Sequence, residues 1–217
     1  MKKTTIIFDL DGTLLNTVKD LKNAANYAFF KNNQKLVKTK QIKYILGSGA
    51  AKTIKILLKE NINNDIYESC LYLFKDYYSK HYFDHVKPYH GITHLLNKLK
   101  NDGYKLAVAT NKSQQVATNL VQNIFGNVFD CIQGHEEGMK PKPEKDTFEK
   151  IFDKLQIKPK ECLYIGDTEI DELTSSISNV ECILVTYGFR TKSQLKDTNV
   201  LKVNNVRELY KIIKNWD

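Results

Sequence analysis

The chain has 217 residues, of which 41% are hydrophobic and 27% are charged, and its formal net charge is +8. This length is enough for one full hydrophobic core and a smaller additional domain. No run reaches the roughly 18 apolar residues of a membrane span, and Asp9 interrupts the first apolar stretch before it could serve as a signal peptide, so we expect a cytoplasmic protein without a membrane anchor.

The excess of 33 Lys and Arg over 25 Asp and Glu suits an anionic partner. The lysines are dispersed and no arginine-rich aromatic stripe accompanies them, so a solvated surface explains them best and we expect no nucleic-acid partner. A positive field would still help to draw a small phosphorylated metabolite into a cleft. The cysteines lie far apart and form no Cys-Xaa-Xaa-Cys pair, which predicts free buried thiols rather than disulfides or a zinc site. These cysteines are Cys70, Cys131, Cys162 and Cys182.

The first predicted strand, residues 4–8, runs directly into Asp9-Leu10-Asp11-Gly12-Thr13. Two carboxylates two residues apart, followed by a glycine at which the backbone can turn, can hold a hard divalent cation and keep one acid beside it. The alternative is a simple Asp-Gly turn. A buried strand that ends in unpaired charge is costly unless a cation lies there. The segment therefore predicts a site for phosphate chemistry.

Residues 16–86 contain no convincing strand, and their apolar residues fall at helical spacing in three segments. We therefore predict a small helical bundle here. The histidines near its end favour polar surface and hinge positions over a zinc site, although the first two have the spacing of a helical metal pair. They are His81, His85, His90 and His94. The apolar helical positions are Leu21, Ala24, Ala25, Ala28 and Phe29, then Ile54, Leu57 and Leu58, then Tyr67, Cys70, Leu71 and Phe74.

Beyond residue 86, short β-prone runs alternate with segments of helical spacing. This alternation predicts an α/β fold, a three-layer α/β/α core with a parallel sheet, in which ligands collect at the carboxyl ends of the strands. The predicted strands are 106–109, 128–132, 162–165, 182–185 and, more weakly, 200–203. The predicted helices are 91–101, 114–125, 145–155, 170–178 and 206–213.

Polar side chains follow two of these strands. Thr110 and Asn111 can hold phosphate oxygens with a hydroxyl and a backbone amide, although Thr110 could instead cap the next helix. Asp167 follows another strand and predicts a metal ligand, with Asp171 four residues later. These two acids could also be an N-cap and a first-turn acid, a role compatible with metal binding.

A third candidate loop is Gly138-Met139-Lys140-Pro141-Lys142-Pro143-Glu144. Its prolines stiffen the backbone ahead of a helix. We predict that Lys140 is the fixed cation of the site and that Lys142 is a surface residue.

These four segments, in this order, resemble the four signatures of the haloacid dehalogenase superfamily, and the substrate-side features resemble its phosphoglycolate phosphatase-like branch. The resemblance implies a Rossmann-like catalytic core of residues 1–15 and 87–217, with a helical cap domain inserted at 16–86. The second aspartate argues against a dehalogenase, whose leaving group needs no acid.

The resemblance implies a Mg²⁺-dependent phosphatase with an aspartyl-phosphate intermediate. Asp9 would be the nucleophile, and Asp11 would protonate the leaving group and then activate water. The metal would be held by the Asp9 side chain, the Asp11 backbone carbonyl and Asp167, with Asp171 orienting a metal-bound water. The implied phosphate-binding residues are Leu10, Gly12, Thr13, Thr110, Asn111 and Lys140, of which Thr110 and Lys140 also act in catalysis.

The substrate is the least determined part of the prediction. Gly47, Gly49 and Lys52 resemble the cap loop of phosphoglycolate phosphatases, and Lys52 could face a substrate carboxylate, although a solvent-exposed helix turn explains them equally well. A β-phosphoglucomutase-like mutase, a 5′-nucleotidase, a pyrophosphatase and an inactive relative that binds a phosphorylated ligand or a partner stay open. So does the oligomeric state, monomer or homodimer.

Overall fold

In a computed structural model, which describes residues 3–59 and 63–216, a six-stranded sheet forms the centre of the larger of two compact units. All neighbouring strands in it are parallel, and their order is β5-β4-β1-β6-β7-β8. This confirms the predicted α/β fold with a parallel sheet. The strands are β1 (Thr5–Phe8), β4 (Lys105–Ser113), β5 (Cys131–His135), β6 (Cys162–Gly166), β7 (Glu181–Val185) and β8 (Leu201–Val203).

The central strands are continuous apolar runs because helices cover both faces of a parallel sheet. Ile6, Ile7 and Phe8 of β1 are completely buried, as are the apolar residues 106–109 of β4 and 163–165 of β6. In the sheet, β4 lies on one side of β1 and β6 lies on the other. The carboxyl end of β1 therefore lies at the point where the strand order reverses, which is where open α/β sheets bind ligands.

The helices of this unit match the predicted segments to within one residue at each end. The unit also contains a short 3₁₀ helix that was not predicted, Pro159–Glu161, directly before β6. The helices are α5 (Ile92–Asn101), α6 (Gln114–Phe125), α7 (Asp146–Leu155), α8 (Glu169–Ile177) and α9 (Val206–Lys214).

Strand β5 begins three residues later than predicted. Phe129 is predicted to belong to this strand because it is apolar, but it lies outside the sheet. Its ring packs edge-on against those of Phe8 and Phe125, at centroid distances of 6.4 and 6.1 Å. The next residue, Asp130, accepts a hydrogen bond from the backbone N–H of Leu106 at 2.8 Å. Regular pairing with β4 starts only after this contact, at Cys131.

The chain divides into two compact units, Met1–Leu15 with Pro88–Asp217 and Asn16–Lys87. The second unit is helical, and α1 packs mainly against α4. Ala24, Ala28, Phe29 and Phe74 are almost completely buried there. The unit consists of α1 (Val18–Lys31), α2 (Thr39–Ile45), α3 (Ala50–Leu58) and α4 (Asn64–His81), and the short strands β2 (Leu15–Asn16) and β3 (Lys87–Pro88) pair at its two ends.

The sequence also predicts free, buried cysteines and no membrane-spanning segment. The four cysteines are free and buried. Within the described residues, no helix combines the length and the apolar character that crossing a membrane would require.

Candidate active site

The tip of β1 carries Asp9 into a buried polar cluster. Asp9 is only 6% exposed, and its backbone N–H donates to the Ile165 carbonyl of β6 at 2.8 Å, which continues the sheet into the site. The pKa of Asp9 is raised to about 7, mainly by burial, because the lowering effect of Lys142 does not offset burial and the nearby carboxylates of Asp171 and Asp11.

Lys142 is the cation of this cluster. Its side chain is 2% exposed, and its Nζ donates to Asp9 Oδ1 at 2.8 Å, to Asp171 Oδ1 at 2.9 Å and to the Tyr164 hydroxyl at 2.7 Å. Burial alone would lower the pKa of this ammonium, but Asp171 and Asp9 outweigh burial and hold the pKa above its usual value. Lys142 is therefore a permanently charged residue fixed beside the Asp9 carboxylate.

The prediction that Lys140 provides this cation is wrong, as is the prediction that Lys142 lies at the surface. Lys140 is exposed, and its backbone N–H donates to Asp146 Oδ2 at 2.9 Å just before α7. The chain contains two successive Lys-Pro pairs, Lys140-Pro141 and Lys142-Pro143, and the sequence does not show which of the two lysines is buried. The second is brought inward because the side chain of Asn111 binds the backbone of Lys142 on both sides, accepting from its N–H at 2.6 Å and donating to its carbonyl at 3.1 Å.

Asp171 anchors the other side of Lys142. Its Oδ1 accepts from Lys142 and from the Tyr164 hydroxyl, and its Oδ2 accepts from the backbone N–H groups of Asp167 and Thr168 and from the Thr168 hydroxyl. Burial would raise the pKa of Asp171, but Lys142 and these donors lower it below the usual value. Asp171 thus stays ionised, and it also performs the capping role that we considered for a first-turn acid of α8.

Asp167 is completely buried at the tip of β6. It accepts hydrogen bonds from the backbone N–H of Phe189 at 2.6 Å and from the Thr13 hydroxyl at 3.3 Å. Burial raises the pKa of Asp167 well above its usual value, and Asp171 and Asp9 raise it further. The ionised form of Asp167 therefore needs additional positive charge nearby.

Two glycines keep the space around Asp167 open. Gly12 adopts a φ of +92°, and a Cβ there would lie 2.3 Å from Asp167 Oδ2. A Cβ on Gly188 would lie 2.4 Å from the same oxygen. Neither position could carry a side chain without moving the carboxylate. Gly12 is therefore needed for two reasons, the backbone turn that the sequence indicates and the space that the Asp167 carboxylate occupies.

Asp11 forms a separate pair at the mouth of this cluster. Its Oδ2 lies 3.0 Å from the Nζ of Lys112, whose side chain is only 4% exposed. Its Oδ1 is buried, and no hydrogen-bond partner is recorded for it in the described part of the chain. Lys112 follows Thr110 and Asn111 near the end of β4, but the sequence contains no signal that separates it from the other lysines.

The structure brings most of the predicted phosphate-binding residues to the same edge of the sheet. Thr110 is 2% exposed, and its hydroxyl accepts from the backbone N–H of Lys112 at 3.3 Å. It does not cap α6, whose N-cap is Ser113. Leu10 and Thr13 are completely buried in the segment after β1.

The donor set fits a divalent cation. Within residues 3–59 and 63–216, the one group of at least three potential ligands consists of Asp9, Asp167 and Asp171, with one oxygen of each within 4.8 Å of the others. Three carboxylates and the one ammonium of Lys142 leave a formal charge of −2 in a buried site, which is unfavourable without a counter-charge. Carboxylate oxygens are the ligands that Mg²⁺ prefers, so Asp9 and Asp167 would hold it best.

The predicted cap residues lie between α2 and α3 in the helical unit. Gly47 and Gly49 adopt positive φ angles of 112° and 82°, which explains the glycines, and Lys52 is exposed on α3. In the same unit, His81 Nδ1 lies 2.8 Å from Asp84 Oδ2. His90 and His94 are exposed residues of the catalytic unit.

Comparison with known proteins agrees with the fold and the site. Residues 6–185 match the family model of haloacid dehalogenase-like hydrolases. The chain is similar to phosphoglycolate phosphatase 1 of Pseudomonas aeruginosa (27% identity, 94% of this chain and 77% of that protein) and to the phosphoglycolate phosphatase of Chromobacterium violaceum (28%, 97% and 96%). A solved structure from Lactobacillus delbrueckii subsp. bulgaricus is 30% identical, covers 98% of this chain and 99% of its own, and superposes with a TM-score of 0.94.

The chain therefore belongs to the family of haloacid dehalogenase-like hydrolases. The predicted class of enzyme, a phosphatase-type hydrolase of this superfamily, is confirmed.

Proposed function

We propose that this protein hydrolyses a small phosphomonoester in the presence of Mg²⁺, with 2-phosphoglycolate as the leading candidate, through a phosphorylated Asp9. The observation that supports this most directly is the contact of Lys142 with Asp9 at 2.8 Å, beside Asp167, at the carboxyl end of β1. It combines a carboxylate nucleophile, a fixed cation and a buried acidic pair in one place.

The first half of the reaction transfers the phosphoryl group to the protein. An Asp9 oxygen attacks phosphorus, the bond between phosphorus and the ester oxygen breaks, and Asp11 gives its proton to the departing alkoxide. Lys142 reduces the repulsion between the carboxylate and the anionic substrate. Asp11 lies next to Asp9 in the chain segment after β1, and its carboxylate lies 3.0 Å from the ammonium of Lys112.

The second half returns the enzyme to its starting state. Asp11, now a carboxylate, takes a proton from water, the water oxygen bonds to phosphorus, and the bond to Asp9 breaks to release inorganic phosphate. When bound, Mg²⁺ would neutralise charge on the phosphoryl oxygens. Thr110 and the backbone around Leu10 and Asn111 would bind those oxygens.

We propose a positioning role for Asp171 in place of direct metal binding. Its two oxygens already accept five hydrogen bonds, two of them from Lys142 and Tyr164. Its contact with Lys142 at 2.9 Å holds the ammonium beside Asp9.

Removing divalent metal should eliminate activity. Purified protein with Mg²⁺ is expected to release phosphate from 2-phosphoglycolate, and excess EDTA should reduce the rate to background, because three buried carboxylates then face only one ammonium. Restoring Mg²⁺ should restore the rate, with a phosphate assay as the measurement. A panel of phosphomonoesters, a nucleotide and pyrophosphate, ranked by kcat/KM, identifies the substrate class. Undiminished turnover in EDTA would contradict the proposal.

Lys52 tests the choice of substrate. We propose that its ammonium binds the carboxylate of 2-phosphoglycolate. Lys52→Ala should then raise KM for 2-phosphoglycolate about tenfold, the value of one charge-assisted hydrogen bond, and leave KM for ethyl phosphate, which has no carboxylate, almost unchanged. Lys55→Ala, an exposed lysine on the same helix, is the control. Equal effects on both substrates would refute a carboxylate-specific role.

A further inference from the structure

A cavity of about 810 Å³ lies in the catalytic unit among α5, α9 and the segment that follows β7. This volume is in the range of small-molecule sites. None of the residues assigned to the catalytic cluster lines it. The proposed phosphatase activity therefore does not account for this cavity.

The rim of the cavity is cationic. Lys98, Arg207 and Lys211 line it together with His90 and His94, and no lining residue within the described chain is acidic. For Arg207 and Lys211, both exposed, no ion pair is recorded among the described residues. Like charges that converge in this way repel one another unless an anion binds between them.

The acids nearest to this rim in the chain are already engaged. Asp102 accepts from the Tyr210 hydroxyl at 2.8 Å and lies 3.4 Å from Lys214 Nζ. Glu208, on α9, accepts from the backbone N–H of Asn204 at 3.1 Å. Among the residues that the structure describes, neither acid forms an ion pair with Arg207 or Lys211.

The floor of the cavity is aromatic. The rings of Tyr89 and Tyr187 are 5.0 Å apart at an angle of 50°, and both are half-buried. On the other wall, Lys98 Nζ lies 4.1 Å from the ring centroid of Tyr210. Aromatic faces next to cations suit a ligand that carries both a flat ring and negative charge.

We propose that this cavity binds a nucleotide, with the phosphate against Arg207 and Lys211 and the base against Tyr89 and Tyr187. The cavity also touches the active-site segment, because the Tyr187 hydroxyl donates to the Thr13 carbonyl at 3.2 Å.

Calorimetric titration of the 217-residue chain in the presence of Mg²⁺ tests this proposal. The probe is the phosphonate analogue of AMP, which a phosphatase does not cleave. We expect one saturable site, and a loss of affinity of about tenfold or more in Arg207→Gln/Lys211→Gln, since charge-assisted hydrogen bonds to the phosphate are removed. Hydrolysis of 2-phosphoglycolate by this variant should be unchanged. The charge-matched control is Lys192→Gln/Lys196→Gln, two exposed lysines that do not line the cavity.

Three results would overturn the nucleotide site. The first is no binding of the analogue to the wild type. The second is equal binding to the wild type and the cavity variant, which would place the analogue at the catalytic site. The third is binding of adenosine alone or of inorganic phosphate alone as tight as that of the analogue, which would show that ring and phosphate are not recognised together. Because the readout is binding, failure here leaves the proposed phosphatase activity untouched.

Discussion

An Asp9→Asn variant is expected to lose phosphatase activity by about 10⁴-fold or more, the scale seen when a nucleophile is removed. The amide oxygen is a poor nucleophile at phosphorus, and the amide cannot form the acyl-phosphate. Steady-state phosphate release with Mg²⁺ measures the loss. Mass spectrometry of acid-quenched wild-type enzyme should find the phosphoryl group on Asp9.

This loss should not reflect unfolding. Burial raises the pKa of Asp9 to about 7, so the fold disfavours its ionised form, and Lys142 keeps its contact with Asp171 when Asp9 becomes neutral. Thermal unfolding of the variant should therefore resemble that of the wild type. Asp197→Asn, at an exposed position, is the matched control and should keep full activity. Phosphoryl label on another residue would end the proposed mechanism.

The architecture could be predicted because its signals are local. Alternation of short apolar runs with helical spacing predicts parallel strands and covering helices, and the buried runs 6–8, 106–109 and 163–165 became central strands. The β5 boundary was missed since Phe129 is apolar for another reason, its ring contacts outside the sheet. Composition cannot separate these two causes of apolar sequence.

The acids of the site could be predicted for the same reason, since Asp9 and Asp167 directly follow strands whose ends converge. The lysines could not. Whether Lys140 or Lys142 enters the site depends on the hydrogen bonds from Asn111, 31 residues away in the chain. The contact of Lys112 with Asp11 likewise joins two strand ends, and no spacing rule indicates it.

Tyr164 shows the same limit from inside a strand. In the sequence it is one more residue of an apolar run, and its ring is completely buried as such a residue should be. Its hydroxyl, however, binds both Lys142 and Asp171. Burial next to these acids keeps its pKa well above the usual value, so the hydroxyl remains a neutral donor that orders the cluster.

Lys142→Met and Lys140→Met, a matched pair two residues apart, should differ strongly in activity. The first removes the ammonium 2.8 Å from Asp9, and we expect kcat to fall by about 10²–10³-fold, as for the loss of one preorganised donor to a transition state. The second changes an exposed side chain and should leave kcat within about twofold, since surface charges contribute little. Phosphate release under saturating substrate measures both.

Stability distinguishes a catalytic role of Lys142 from a purely structural one. Lys142→Met leaves Asp9 and Asp171 without their shared cation, and breaking such a buried pair costs about 3–5 kcal/mol, so its melting temperature should fall. Lys142→Arg keeps the charge but cannot reproduce the three contacts that one ammonium makes. Compared with Lys142→Met, it should therefore restore the melting temperature more completely than it restores kcat. If Lys142→Arg restored both fully, or if Lys140→Met were the inactive variant, the assignment of the cation to Lys142 would be wrong.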